Sequence, residues 1–272
     1  MPYTKQIDRR APGCFIFLLD QSDSMNYPIA GRPGISKAQA LADIVNDTLA
    51  MIIRRCSKER GEGPRPYYDI AVLGYSGQEA RSLFTGALAG QWLVSVPDLF
   101  SCVLRREERH GSSMPVWFEP FGAGLTPMCA ALDMAGSLAS GWAQSHQDSF
   151  PPIIINITDG AATDGEPEKV QMWADRLRSL RTADGNLLLF NISISAVAQT
   201  TTTFPAAESE LSDEWARGLF RMSSELPPLM RTAAERLGVQ TRPGARGFVS
   251  NATPDAIVLA LTVGTQVAQV DA

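Results

Sequence analysis

An unbroken apolar run, Phe15–Leu19, ends in Asp20 and is followed at alternate positions by Ser22 and Ser24. A strand buried on both faces reads as such a run, whereas a half-exposed strand alternates apolar with polar. The usual way to bury a strand on both sides is a parallel sheet with helices packed on each face. Two later runs repeat the signature: residues 153–158 (IIINIT), which lead into Asp159, and residues 186–195 (NLLLFNISIS). Ligands of open α/β sheets sit beyond the carboxyl ends of the strands. The first run therefore limits the fold and also marks where a site belongs.

Between the runs the apolar period changes to that of helices. A helix is predicted over residues 37–56, with Ala38, Leu41, Ile44, Val45, Leu49 and Ile52 on its inner face and Ser36 as N-cap. A second strand is expected at 68–74 and an antiparallel edge strand at 80–84. Thr126 followed by Pro127 meets two helix-start signals, opening a helix that reaches residue 142. Helices at 167–180, 226–237 and 254–267 follow, with a last short strand at 219–222. Residues 1–13 read as a loose arm, 85–115 as a surface excursion and 239–272 as a C-terminal loop and helix. The fold expected is α/β in a single domain over residues 1–272. Its sheet is doubly wound, largely parallel and six-stranded, with one antiparallel edge strand and helices on both faces.

Charge and cysteine content narrow the function. With 24 basic and 29 acidic residues the net charge is −5, which argues against wrapping nucleic acid. Cys14, Cys56, Cys102 and Cys129 form no C-x-x-C pair and no zinc spacing with histidine, so a reducing compartment is expected. The first residues carry no apolar signal core, and no run is long enough to span a membrane. A cytoplasmic protein without membrane or nucleic-acid partners is the expectation.

Asp20, Ser22 and Ser24 offer oxygen only, a set suited to a hard divalent cation, Mg²⁺ before Mn²⁺ or Ca²⁺. A D-x-S-x-S pattern closing a first hydrophobic strand resembles the metal-ion-dependent adhesion site of von Willebrand factor type A domains. The resemblance spans residues 14–237 and is carried by three loops. Asp20, Ser22 and Ser24 match the first motif. Thr126, in GAGLTPM, matches the second-loop threonine, and Asp159, in ITDG, matches the third-loop aspartate. The resemblance implies a vWA/Rossmann-like fold and a Mg²⁺ site with an open position that a partner's Glu or Asp completes. The phrase WFEPFGAG is similar to the intracellular bacterial branch of the family. Members of that branch act as interaction or scaffold modules. Some are encoded or fused with protein kinases, phosphatases or AAA-type ATPases in stress, tellurium-resistance or defence systems. A non-enzymatic, cation-dependent protein-interaction module in bacterial signalling is thus implied, with a separate effector as partner. Leu125 departs from the pattern, since the family often has a second glycine before the threonine.

The partner rim expected around such a site comprises Asp23, Met25, Tyr27, Leu125 and Asp164. Met25 and Tyr27, with Pro28 and Ile29, either supply an apolar anchor or fold back on the domain. Asp23 either adds to cation attraction or points outward, and Asp164 and Glu166 either form an acidic rim or lie solvated. The basic loop 242–246 is a second candidate surface. Three other readings compete: Asp20 and Asp159 as loop caps without metal, a metal-stabilised structural subunit, and a metal-dependent phosphoester hydrolase with Arg32 or Lys37 holding the phosphate. His110 and His146 lie in polar segments without a nucleophile signature, and no phosphate-binding lysine loop occurs.

Overall fold

The structure, a computed structural model, describes residues 2–57, 63–109, 111–197 and 199–266. The strands of its central sheet, in chain order, are β1 (Gly13–Asp20), β2 (Tyr68–Ser76), β3 (Glu79–Ser82), β4 (Val94–Ser95), β5 (Ile153–Thr158), β6 (Leu188–Ile194), β7 (Thr202–Thr203) and β8 (Phe248–Ala252). All eight belong to one sheet. Five strands run parallel in the order β8–β6–β5–β1–β2. Antiparallel pieces close both sides: β3 and β4 on β2, and β7 on β8. The α/β class holds, while the six strands and single antiparallel edge expected are corrected to eight strands and two antiparallel edges. Of the strands not expected, β4 and β7 are two residues long and carry no period that a sequence pattern reveals.

The helices are α1 (Lys37–Arg55), α2 (Val96–Ser101), α3 (Met128–Ser145), α4 (Pro167–Ser179), α5 (Glu214–Met222), α6 (Pro228–Arg236) and α7 (Pro254–Gly264). Residue 267, expected in the last helix, lies outside the described residues. The strand expected at 219–222 is corrected to the end of α5. Ala216, Leu219 and Phe220 recur at helical spacing, and Asp213 caps the helix by accepting the Ala216 N–H. The last strand of the parallel set is β8, within residues expected to be loop and helix.

Side chains alternate across β1, and so divide two cores. Phe15, Phe17 and Leu19 pack with α1, α2, α6 and α7; Cys14, Ile16 and Leu18 pack with α3, α4 and α5. A chain of buried polar groups runs through the sheet on its way to α5. The Tyr75 hydroxyl donates to Asn156 Oδ1 (2.9 Å), Asn156 Nδ2 to Asn191 Oδ1 (3.0 Å), and Asn191 Nδ2 to Ser223 Oγ (3.0 Å). Each polar group finds a partner, as burial demands.

Two segments are better anchored than their composition suggested. In the arm 1–13, Ile7 is fully buried, and Asp184 accepts the backbone N–H groups of Thr4 and Lys5. In the stretch 85–115, Leu88, Val94, Val96 and Leu99 are buried, so its first half joins the core. Its second half begins the antiparallel hairpin Arg105–Arg109 with Ser112–Val116, which is tied to α1 by Arg109 pairing with Asp43 and Asp47. Among the described residues no helix is long and apolar enough to cross a membrane.

β1 and β5 are parallel neighbours, yet they feed helices on opposite faces: β1 leads to α1, and β5 leads to α4. Their loops therefore part above the sheet and leave a crevice at the carboxyl ends. That is the switch point where open α/β sheets bind ligands.

Candidate metal centre

Register brings the two aspartates together. Leu19 pairs with Ile157, which sets Asp20 level with Thr158 at the tops of adjacent strands. The Thr158 hydroxyl donates to Asp20 Oδ2 (2.7 Å), and the Ser22 backbone N–H donates to Asp20 Oδ1 (2.9 Å). Ser22 Oγ and Ser24 Oγ stand 3.0 Å apart, and Ser24 Oγ donates to Asp159 Oδ1 (2.7 Å). Four of the five expected donors thus form one hydrogen-bonded cluster. Burial raises the pKa of Asp20 above the usual carboxylate value; the hydrogen bonds from Ser22 and Thr158 oppose this, and the nearby Asp159 charge adds to it. Burial thus makes the charge of Asp20 costly, a cost that a cation at this position would relieve.

Thr126, the fifth donor, arrives on a loop stitched to both others. Ala123 N donates to the Gln21 carbonyl (2.8 Å), and Asp23 N to the Gly124 carbonyl (2.9 Å). Asn26 Nδ2 donates to the Gly122 carbonyl (2.8 Å). On the other side, Thr126 N donates to Thr163 Oγ1 (3.0 Å), and Thr163 N to the Thr126 carbonyl (2.9 Å). The Thr126 hydroxyl lies 3.9 Å from where a Cβ on Gly160 would stand, beside Asp159. Gly124 has φ +76°, and a Cβ there would meet Gly77 N at 3.1 Å, so this turn requires glycine. Leu125 sits beside it without displacing Thr126 from the third loop.

Thr126 does not cap α3 as its sequence position suggested. Pro127 holds the N-cap position, and the free N–H groups of Cys129 and Ala130 donate to Asp164 Oδ1 (3.0 Å) and Oδ2 (2.9 Å). Asp164, expected on an acidic rim, is therefore the cap of α3, supplied by another loop. This leaves Thr126 Oγ1 without a capping duty.

The rim is also only partly as expected. Met25 is fully buried, with Ile29 beside it in the α1-side core, so neither is a surface anchor. A turn at Asp23–Asn26 and the hairpin Pro28–Ile29 with Arg32–Ser36 fold both inward. Tyr27 (63% exposed), Leu125 (57%) and Phe121 (41%) are the large apolar side chains that these loops expose, and Asp23 is exposed near them. Phe121 was not singled out in the sequence; Arg81 lies over its ring at 4.8 Å.

Lys37, considered from sequence as a phosphate-holding cation at this rim, instead turns to the cluster itself. Its ammonium pairs with Asp159 Oδ2, with side-chain exposures of 5% and 0%. Arg32, the other cation considered for this rim, is exposed on the hairpin. His146 stacks on Trp142 at the far end of α3, about 27 Å of helix away from the site. His110 lies outside the described residues. Among the described residues no three of His, Cys, Asp and Glu gather as a metal-holding group. The cluster here has two carboxylates and three hydroxyls, a set that fits a hard cation and gives a soft one no nitrogen or sulfur. Next to it, a concave surface of about 1630 Å³ runs from Thr163 and Asp164 between α4 and α5, past Met172, Trp215 and Met222.

No family model matches the chain, and no curated protein does. Among solved structures it is similar to a von Willebrand factor type A protein from Catenulispora acidiphila (13% identity, 78% of this chain and 36% of that one, TM-score 0.43). It is also similar to the manganese-loaded TRAP protein of Plasmodium vivax (18%, 73% and 63%, TM-score 0.37). A third is the PilB minor pilin from Streptococcus sanguinis (12%, 96% and 61%, TM-score 0.47). The chain spans 36% to 63% of the lengths of these proteins. At these TM-scores the likeness carries no functional weight.

Proposed function

We propose that the chain is a divalent-cation-dependent protein-interaction module. Asp20, Ser22, Ser24, Thr126 and Asp159 hold the cation, Mg²⁺ first and Mn²⁺ or Ca²⁺ in its place. The observation that carries this reading is the convergence of hydroxyls and carboxylates from three separate loops at the sheet's switch point, with the Thr126 hydroxyl relieved of helix capping by Asp164. Bound Mg²⁺ supplies a coordination position for a carboxylate from outside the chain.

The protein's own groups do the rest. Asp20 keeps the first loop in place through the Ser22 N–H, and Ser24 orients Asp159. Tyr27, Phe121 and Leu125 offer apolar area around the crevice, the kind of anchor that a partner with a nearby Glu or Asp engages. A component of a kinase, phosphatase or ATPase system is the class of partner that the family resemblance implies.

Calorimetric titration of the metal-stripped chain with Mg²⁺ and with Mn²⁺ tests the reading. Saturable binding near one ion per chain is expected, and its loss in Asp20→Ala and in the isosteric Asp20→Asn. Circular dichroism checks that both variants keep the fold. Equal binding by the native chain and by both folded variants would overturn it.

A further inference from the structure

Lys37 occupies an unfavourable position. It is the first residue of α1, where the helix dipole attracts anions and disfavours cations. Its ammonium is also withdrawn from water, which costs free energy unless a good partner is present. The backbone fixes it there. Ser36 Oγ accepts the Gln39 N–H, and Lys37 N donates to the Tyr27 carbonyl (2.9 Å). The Tyr27 ring lies 6.0 Å from Nζ. With Ser24 on Oδ1 and Lys37 on Oδ2, both oxygens of Asp159 are engaged.

We propose that Lys37 is an internal counter-cation that makes the site take a divalent cation and a carboxylate together, and each poorly alone. This rests on the metal-binding reading above. Asp20 and Asp159 bring two negative charges to the cluster, and Lys37 returns one positive charge. A divalent ion therefore meets one net negative charge, and the loaded cluster carries a net positive charge. An anionic side chain balances it. Without Lys37, the two aspartates alone neutralise the ion, which then binds tightly and has little further attraction for an anion. Lys37 thereby lowers the affinity for the bare ion and shifts it to the ternary complex with a partner's Glu or Asp. Tyr27 stands on the rim, 63% exposed, with its ring 6.0 Å from the ammonium, so a partner's carboxylate that reaches the loaded cluster passes beside it.

The test is calorimetric titration of the metal-stripped 272-residue chain with Mn²⁺, with and without acetate as a carboxylate probe. The native chain, Lys37→Met and Asp20→Ala are compared. Lys37→Met is expected to bind Mn²⁺ about tenfold more tightly than the native chain, as removal of one adjacent like charge requires. Acetate is expected to tighten Mn²⁺ binding in the native chain and to leave Lys37→Met nearly unchanged. A native chain whose Mn²⁺ affinity acetate leaves unchanged overturns the role of Lys37 even where Lys37→Met does not fold, and Lys37→Gln serves as a second variant for the comparison. If Asp20→Ala loses binding but acetate leaves the native affinity unchanged, or folded Lys37→Met binds no more tightly, the role of Lys37 is overturned and the metal site stands. If native chain, Asp20→Ala and Lys37→Met all behave alike, the metal reading fails and the role of Lys37 fails with it.

Discussion

Single residues in this chain carry duties that their neighbours in sequence do not announce. Asp164 lies three positions before the start of α4, whose N-cap position is held by Glu166, yet it caps α3 from across the crevice. Replacing it with alanine leaves two backbone N–H groups unpaired at that helix start. Chemical denaturation is expected to show Asp164→Ala less stable by ~1–2 kcal/mol, the usual worth of an N-cap. Asp20, Ser22, Ser24 and Asp159 were legible because each directly ends, or closely follows, an apolar run. Asp164 and Lys37 were both considered for the rim, but their duties were not legible, because each is defined by a partner 35 or 122 residues away. For Lys37 a local signal did exist: a cation at the first position of a helix whose first turn has no acid. Met25 gave no signal, since its loop has neither a helical nor a strand period.

At the scale of elements, the long ones were readable and the short ones were not. β1, β5 and α1 follow from apolar runs and a helical period, with ends within a few residues of expectation. β4 and β7 are two-residue pieces held by their neighbours, and 219–222 is apolar enough to suit either a strand or the α5 that it forms. The loop 121–126 is an element in its own right, because its backbone bonds to the loops on both sides. Its hinge is Gly124. Gly124→Ala places a Cβ against Gly77 at a left-handed backbone angle, at a cost of ~1–2 kcal/mol for the angle alone. Thermal unfolding is expected to show that loss, and titration to show weaker Mn²⁺ binding as Thr126 shifts. Gly34→Ala, where a Cβ meets nothing within 4 Å, is the matched control and is expected to change neither.

For the whole molecule, the C-terminal part is structural rather than accessory. β8 lies between β6 and β7, with Phe248 in one core and Val249 in the other, and α7 covers the α1-side face. A chain ended after Gly238 exposes an edge of β6 and both of those apolar faces. Circular dichroism against urea is expected to show a single cooperative transition for residues 1–272 and none for this shortened chain. The same long-range construction governs the site. Ser24 and Asp159 touch although 135 residues separate them, and Thr126 comes from between. A nascent chain emerging from the ribosome presents Asp20 and both serines early, but it has no complete cluster until β5 has been synthesised and zipped against β1. Chains that end upstream of Asp159 therefore carry the first motif without the carboxylate that Ser24 bonds to in the folded protein. The proposed cation site is thus a property of the assembled sheet, and copies that stop short of Asp159 do not have it.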